Sequence, residues 1–143
     1  MSKILLVDDE KLPMEYYIRA FRMNNYEVKQ CFNPDSALEL VEKKPIPFKA
    51  IILDIMMLPG EKYKNEDTDD GLKTGKLLYR DLRAHYPNIP IIILTNVSNP
   101  EIHLVPGETS DTLAIVQKID YPPFELVALV KKMIDMLENL RET

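Results

Sequence analysis

The chain has 143 residues, enough for one domain that buries roughly 70% of its unfolded surface. Its 18 basic and 23 acidic residues give a net charge of −5, which argues against nonspecific binding to nucleic acid or an anionic membrane. Cys31 is the single cysteine, so no internal disulfide can form, and no apolar stretch reaches the roughly 18 residues of a membrane span. We therefore expect a cytoplasmic protein with one domain over residues 1–143.

Short apolar runs alternate with segments of helical period along the chain. The runs predict five strands, over residues 3–8, 27–32, 50–54, 89–95 and 112–118. This alternation is typical of a parallel sheet covered by helices on both faces. The sequence therefore predicts an α/β fold.

The segments between these runs predict helices. Asn33 can cap the second helix, and Pro34 fits its first turn. Apolar spacing outlines three further helices. The first contains Met14, Tyr17, Ile18 and Phe21, and the third contains Leu72, Gly75, Leu78 and Leu82. The last contains Phe124, Val127, Val130, Ile134 and Leu137. We interpret the apolar face of the last helix as core packing.

Two segments depart from this regular pattern. Residues 98–109 contain Pro100 and Pro106, and a proline inside a helix costs roughly 3 kcal/mol, so we expect an atypical, short or distorted fourth helix there. Residues 61–70 carry five acids and two lysines, and we interpret them as a solvated loop. A role of that loop in partner recognition or in covering a pocket is the alternative.

Polar side chains stand at the ends of four predicted strands. Asp8 and Asp9 end the first, Asp54 the third, Thr95 the fourth and Lys118 the fifth. In an open parallel sheet, ligands bind beyond the carboxyl ends of the strands. Taken singly, the acids could cap helices or form turns, and the lysine could be a solvated charge. Their joint placement favours a shared site.

Three clustered carboxylates repel one another, so the cluster should retain a proton or bind a cation. Hard oxygen ligands without a nearby histidine or cysteine favour Mg²⁺. A lysine ammonium and a threonine hydroxyl can hold phosphoryl oxygens beside such a metal ion. This set of groups fits phosphoryl transfer to a carboxylate.

With Asp8, Asp9, Asp54, Thr95 and Lys118 in this order, the chain resembles the receiver domains of two-component response regulators over nearly its whole length. The resemblance implies a flavodoxin-like, doubly wound sheet of five parallel strands in the order 2-1-3-4-5. We expect a single receiver domain over residues 1–143 and no output domain within this chain, because the last predicted helix runs almost to Thr143; an output domain beyond this stretch is the alternative.

The resemblance further implies roles for single residues. Asp54 would be the phospho-acceptor, Asp9 and Asp54 direct ligands of Mg²⁺, and Asp8 a ligand through water. Met56 would add its backbone carbonyl to the metal.

In the same family pattern, Lys118 would pair with Asp54 and the phosphoryl group, and Thr95 would donate its hydroxyl to a phosphoryl oxygen. The chain would then be a regulatory domain rather than an enzyme. A histidine kinase or a histidine phosphotransfer protein would phosphorylate it, and a downstream protein target would read the change.

Three departures from the family pattern keep other hypotheses open. Leu58 precedes Pro59 in the loop after the acceptor, Ile119 stands where a proline usually follows the lysine, and Ile115 stands where an aromatic switch residue is common. A receiver-like interaction module that acts without phosphorylation is therefore the first alternative. A Mg²⁺-dependent phosphatase that uses Asp54 as its nucleophile is the second, although the apolar Met56 stands where such enzymes carry another acid.

Overall fold

A computed structural model describes residues 1–71, 73–96 and 111–142. Five parallel strands form one sheet in the order β2-β1-β3-β4-β5. Their bounds are β1, Ser2–Val7; β2, Tyr26–Cys31; β3, Phe48–Asp54; β4, Ile91–Thr95; and β5, Leu113–Gln117. The predicted flavodoxin-like topology and strand order are confirmed.

Helices cover both faces of this sheet. Their bounds are α1, Lys11–Met23; α2, Pro34–Lys43; α3, Thr74–His85; and α4, Pro123–Glu142, with a 3₁₀ turn at Lys118–Asp120. The α2 helix starts as its sequence predicts, because the side chain of Asn33 accepts a hydrogen bond from the Ser36 amide. The expected atypical helix over residues 98–109 lies outside the described residues, as does Leu72.

Two apolar cores lie on opposite faces of the sheet because successive strand residues point to opposite sides. Ile4 and Leu6 of β1 belong to the core that includes residues of α1 and α4. Leu5 and Val7 belong to the core that includes residues of α2 and α3. Both faces of the central strands are thus buried from solvent, which explains their unbroken apolar runs.

Helix α3 packs directly against the end of β3. The amide of Gly75 donates to the carbonyl of Ile55 at 2.8 Å. A Cβ atom at position 75 would lie only 2.2 Å from the carbonyl oxygen of Asp54. Glycine is therefore needed here for close packing between the helix and the end of β3.

Two sequence-based expectations are wrong. Phe124 does not pack in the core: it is 60% exposed, and the buried face of α4 contains Leu126 and Met133 beside the predicted Val127. Pro123 starts the helix, and within its first turn Phe124 is exposed whereas Leu126 is buried. Lys118 lies just past β5 rather than within it, at the start of the 3₁₀ turn.

The predicted solvated loop is exposed over most of its length, and it is also anchored to the protein. We call residues 58–71 the strap. In the chain they connect β3 to α3, and in space they contact both α2 and α3. Its charged side chains are largely exposed, but Tyr63 and Thr68 are buried. A buried tyrosine within an acidic stretch gives little periodic signal, which is why the sequence pattern concealed this anchor.

Helices long and apolar enough to cross a membrane do not occur in the described part of the chain.

Candidate functional site

The predicted site residues come together at the carboxyl edge of the sheet. Asp8 follows β1, Asp54 ends β3 and Thr95 ends β4, and all three side chains are buried. Asp9 stands beside Asp8 but is exposed, and Lys118 is only 11% exposed. The strand ends therefore create a pocket with a buried floor and an accessible rim.

Lys118 is the cation of this pocket. Its Nζ atom lies 3.2 Å from Oδ2 of Asp8 and 3.5 Å from Oδ2 of Asp54. The same ammonium lies 3.9 Å from Oε2 of Glu10, which was not among the predicted site residues. One lysine thus bridges three carboxylates from two loops. The only signal for Glu10 was its position directly after the acidic pair.

Backbone amides hold the other carboxylate oxygens. The Met56 amide donates to Oδ1 of Asp54 at 3.2 Å, and the Glu10 amide donates to Oδ1 of Asp8 at 2.9 Å. Each buried carboxylate therefore keeps one oxygen toward a backbone amide and the other toward Lys118. This arrangement fixes the orientation of both side chains before any ligand binds.

Burial dominates the acid–base properties of the pocket. Burial, and then the charge of Asp8, raise the pKa of Asp54 to about 6, against the opposing effect of Lys118. Burial likewise raises the pKa of Asp8. Burial tends to lower the pKa of Lys118, but the charges of Asp54 and Asp8 outweigh it, so that this pKa is raised. The lysine therefore stays charged, while the neighbouring carboxylates of Asp8 and Asp54 repel each other.

The donor set fits a hard divalent cation. Within the described residues, one group of acids can hold a metal ion: Asp8, Asp9 and Asp54 each offer a carboxylate oxygen, and these atoms lie within 4.8 Å of one another. Oxygen-only ligands match the preference of Mg²⁺, and a cation among them would relieve the repulsion that burial intensifies. The cluster thus agrees with the expected magnesium site.

Solved structures similar to this one include receiver proteins. A response regulator receiver protein from Sinorhizobium medicae WSM419 superimposes with a TM-score of 0.73 at 19% identity, covering 95% of this chain and 96% of that one. A CheY-like receiver domain protein from Methanospirillum hungatei JF-1 gives a TM-score of 0.70 at 19% identity, with 97% and 98% covered. At these identities the likeness shows the fold alone.

The family assignment comes from the sequence itself. No curated protein matched the chain. Residues 4–118 match the model of the response regulator receiver domain, a stretch that runs from β1 to Lys118. Receiver domains are regulatory modules of two-component systems, bind Mg²⁺ at an acidic pocket, and work with histidine kinases and downstream effectors. With this match over most of its length, and with the fold and acidic pocket described above, the chain belongs to the response regulator receiver domain family.

Proposed function

We propose that Asp54 accepts a phosphoryl group in a Mg²⁺-dependent reaction, from a histidine kinase or a histidine phosphotransfer protein. The observation that carries this proposal is the placement of Lys118 between the buried carboxylates of Asp8 and Asp54. A structural ion pair needs one acid for one lysine. Two buried acids around one lysine, with the exposed Asp9 beside them, instead suit a site that receives additional positive and negative charge.

Asp54 is suited to act as the nucleophile. With a pKa of about 6, its carboxyl is mostly ionised near neutral pH. An oxygen of Asp54 would attack phosphorus as the bond from phosphorus to the donor imidazole nitrogen breaks, and the imidazole leaves. Met56 holds Oδ1 through its amide, which fixes the plane of the attacking group. The product is an aspartyl phosphate.

Chain residues would also hold the metal and the new oxygens. We assign Asp9 and Asp54 as direct ligands of Mg²⁺, Asp8 as a ligand through water, and the Met56 carbonyl as a further ligand. When bound, Mg²⁺ neutralises the negative charge on phosphoryl oxygens.

Lys118 and Thr95 would respond to the phosphoryl group. The ammonium of Lys118 already lies 3.5 Å from Asp54, and the hydroxyl of Thr95 stands at the end of the adjacent strand. New anionic oxygens attract both groups, so that phosphorylation favours a conformation of the surrounding loops that differs from the free state. We propose that a downstream protein target binds this altered surface.

An exposed apolar patch beside the pocket supports a protein as phosphoryl donor. Leu12 and Tyr16 of α1 lie with Pro123 around a shallow apolar cavity of about 470 Å³. Leu12 is 74% exposed and follows Glu10 by two residues, and the 85% exposed Ile119 directly follows Lys118. Exposed apolar clusters of this kind mark protein-binding surfaces.

The single thiol, Cys31, is free and buried, which is compatible with the proposed cytoplasmic location.

The test is direct phosphorylation with a small acyl phosphate. We expect intact-mass measurement to show one added phosphoryl group when the protein is incubated with acetyl phosphate and Mg²⁺. The adduct should be missing from Asp54→Asn and from a sample treated with a chelator. If wild type binds Mg²⁺ yet gains no adduct, an interaction module that acts without phosphorylation becomes the better hypothesis for the function. Continuous turnover of the donor that Asp54→Asn abolishes would instead indicate a phosphatase.

A second variant separates chemistry from partner docking. Tyr16→Glu places a charge in the apolar patch without touching the carboxylates. We expect it to accept phosphate from acetyl phosphate at the wild-type rate, but to accept it at least tenfold more slowly from a phosphorylated histidine phosphotransfer domain, since apolar anchors dominate such interfaces. Equal slowing with both donors would argue against the patch as docking surface.

A further inference from the structure

We propose that the strap is a positioning element for the pocket, and that the hydrogen bond between Tyr63 and Asp81 sets the affinity of the site for Mg²⁺ by fixing the loop after Asp54. This inference rests on the proposed Mg²⁺ site. It assigns a role to the acidic residues 61–70, which the sequence alone leaves open between a solvated loop and a part in partner recognition or in covering a pocket.

The loop after Asp54 is held from two sides. The carbonyl of Ile55 accepts from the Gly75 amide at the start of α3, and the amide of Met57 donates to the carbonyl of Gly71 at the end of the strap. Met56 lies between these two fixed residues. Its amide binds Asp54, and its carbonyl is the proposed metal ligand. The position of that carbonyl therefore depends on where the strap ends.

The end of the strap is set closely against the loop. Gly71 has a φ of 93°, and a Cβ there would lie 2.8 Å from the carbonyl oxygen of Met57. Asp69 and Asp70 also adopt positive φ, so three successive residues have left-handed backbone. Such a turn costs free energy for the two aspartates and persists only when its surroundings hold it. The anchors of the strap supply that restraint.

Tyr63 is the main anchor. Its ring is 1% exposed in the core beneath α2 and α3, and its hydroxyl donates to Oδ2 of Asp81 at 2.6 Å. Arg80 holds the other oxygen of Asp81 at 3.0 Å and also lies 3.5 Å from Glu66 of the strap. The strap is therefore attached to α3 by one partly buried hydrogen bond and one partly exposed charge network.

Asp35 provides a second anchor on α2. Its two carboxylate oxygens each accept a backbone amide of the strap, from Glu61 and from Lys62, both at 2.9 Å. Gly60 makes this approach possible, since a Cβ there would meet Oδ2 of Asp35 at 2.4 Å. The strap thus bridges two helices, while its last residue fixes the loop that carries Met56.

The decisive experiment compares Tyr63→Phe with Tyr86→Phe. Both substitutions delete one hydroxyl and keep the ring, and the Tyr86 hydroxyl donates to the carbonyl of Ile46, which precedes β3 at the opposite edge of the sheet. We expect Tyr63→Phe to bind Mg²⁺ about tenfold more weakly in calorimetric titration, the low end for residues that orient metal ligands. Tyr86→Phe should bind Mg²⁺ like wild type.

If the strap affects Mg²⁺ binding, then Mg²⁺ binding must affect the strap to the same extent. Hydrogen exchange at the bond between loop and strap measures this coupling, and simple destabilisation does not change it. In wild type, Mg²⁺ should slow hydrogen exchange of the Met57 amide, since that amide closes the bond between loop and strap. The slowing should be lost in Tyr63→Phe. Asp81→Asn should retain most of the Mg²⁺ affinity because its amide oxygen can still accept from Tyr63, whereas Asp81→Ala should not.

The outcomes separate this inference from the proposed function. Wild type that binds no Mg²⁺ would overturn both. Wild type that binds Mg²⁺ while Tyr63→Phe binds it equally well would overturn the positioning role alone. Equal weakening by Tyr63→Phe and Tyr86→Phe would reduce the effect to general loss of stability, and would also overturn it.

Discussion

The buried carboxylate of Asp54 costs folding free energy so long as it is charged. Folding raises the pKa of Asp54 to about 6, so the native protein retains this proton to higher pH than the unfolded chain. Between about pH 4 and 6, unfolding therefore releases a proton, and stability falls as the pH rises through this window. Above it, the destabilisation is complete and constant.

Asp54→Asn should accordingly stabilise the metal-free protein. We expect its free energy of unfolding near pH 7.5 to exceed that of wild type by about 1–3 kcal/mol, and the gain to vanish near pH 4, where Asp54 is already neutral. Urea denaturation at several pH values measures both quantities. Asp9→Asn is the control, since an exposed acid should change stability by less than about 0.5 kcal/mol. A gain independent of pH would contradict this account.

The pattern of single residues also shows what a sequence can reveal about this site. Asp8, Asp54, Thr95 and Lys118 were predictable because each ends an apolar run, and parallel strands bring such ends to one edge. Glu10 was missed because its contact with Lys118 depends on how the loop after β1 turns. The pairing of Tyr63 with Asp81 was hidden for the same reason, since it joins a loop to a helix without periodicity.

At the scale of elements, α3 and β3 meet at a contact too close for any side chain. Alanine normally favours a helix over glycine by about 1 kcal/mol, yet a Cβ at position 75 would lie 2.4 Å from the Cα of Ile55. We expect Gly75→Ala to destabilise the protein by about 1–3 kcal/mol, because backbone atoms must move apart. Thermal unfolding followed by circular dichroism measures the loss.

Ala84→Gly provides the matched control in the same helix. Ala84 is exposed, so this reverse substitution should cost only the intrinsic difference of about 1 kcal/mol. If Gly75→Ala were neutral or stabilising, α3 would have room to shift, and its contact with β3 would not be restrictive. Strand boundaries were predicted to within two residues, because apolar periodicity reports burial. Phe124 shows the limit of this signal, since it stands at a position of the apolar period and is nevertheless 60% exposed.

At the scale of the whole molecule, Mg²⁺ should stabilise the folded state because only the fold assembles Asp8, Asp9 and Asp54. A ligand at about ten times its Kd stabilises by roughly 1.4 kcal/mol when it does not bind the unfolded chain. We expect a rise in Tm of several degrees with MgCl₂, and no comparable rise with the same concentration of KCl. Asp8→Asn should reduce the rise, and an unchanged rise would place the metal elsewhere.

The site residues are far apart in the chain, and this has a consequence during synthesis. Asp8 precedes β2, Asp54 ends the central β3, and Lys118 follows the edge strand β5, with 64 positions separating the last two. Contacts of such long sequence separation form late, since the intervening chain must first be ordered. A nascent chain on the ribosome can pair β1 with β3 while its acidic pocket still lacks the compensating ammonium. The pocket gains this ammonium only after β5 has emerged and docked, so the proposed phosphorylation of Asp54 would require the entire sheet.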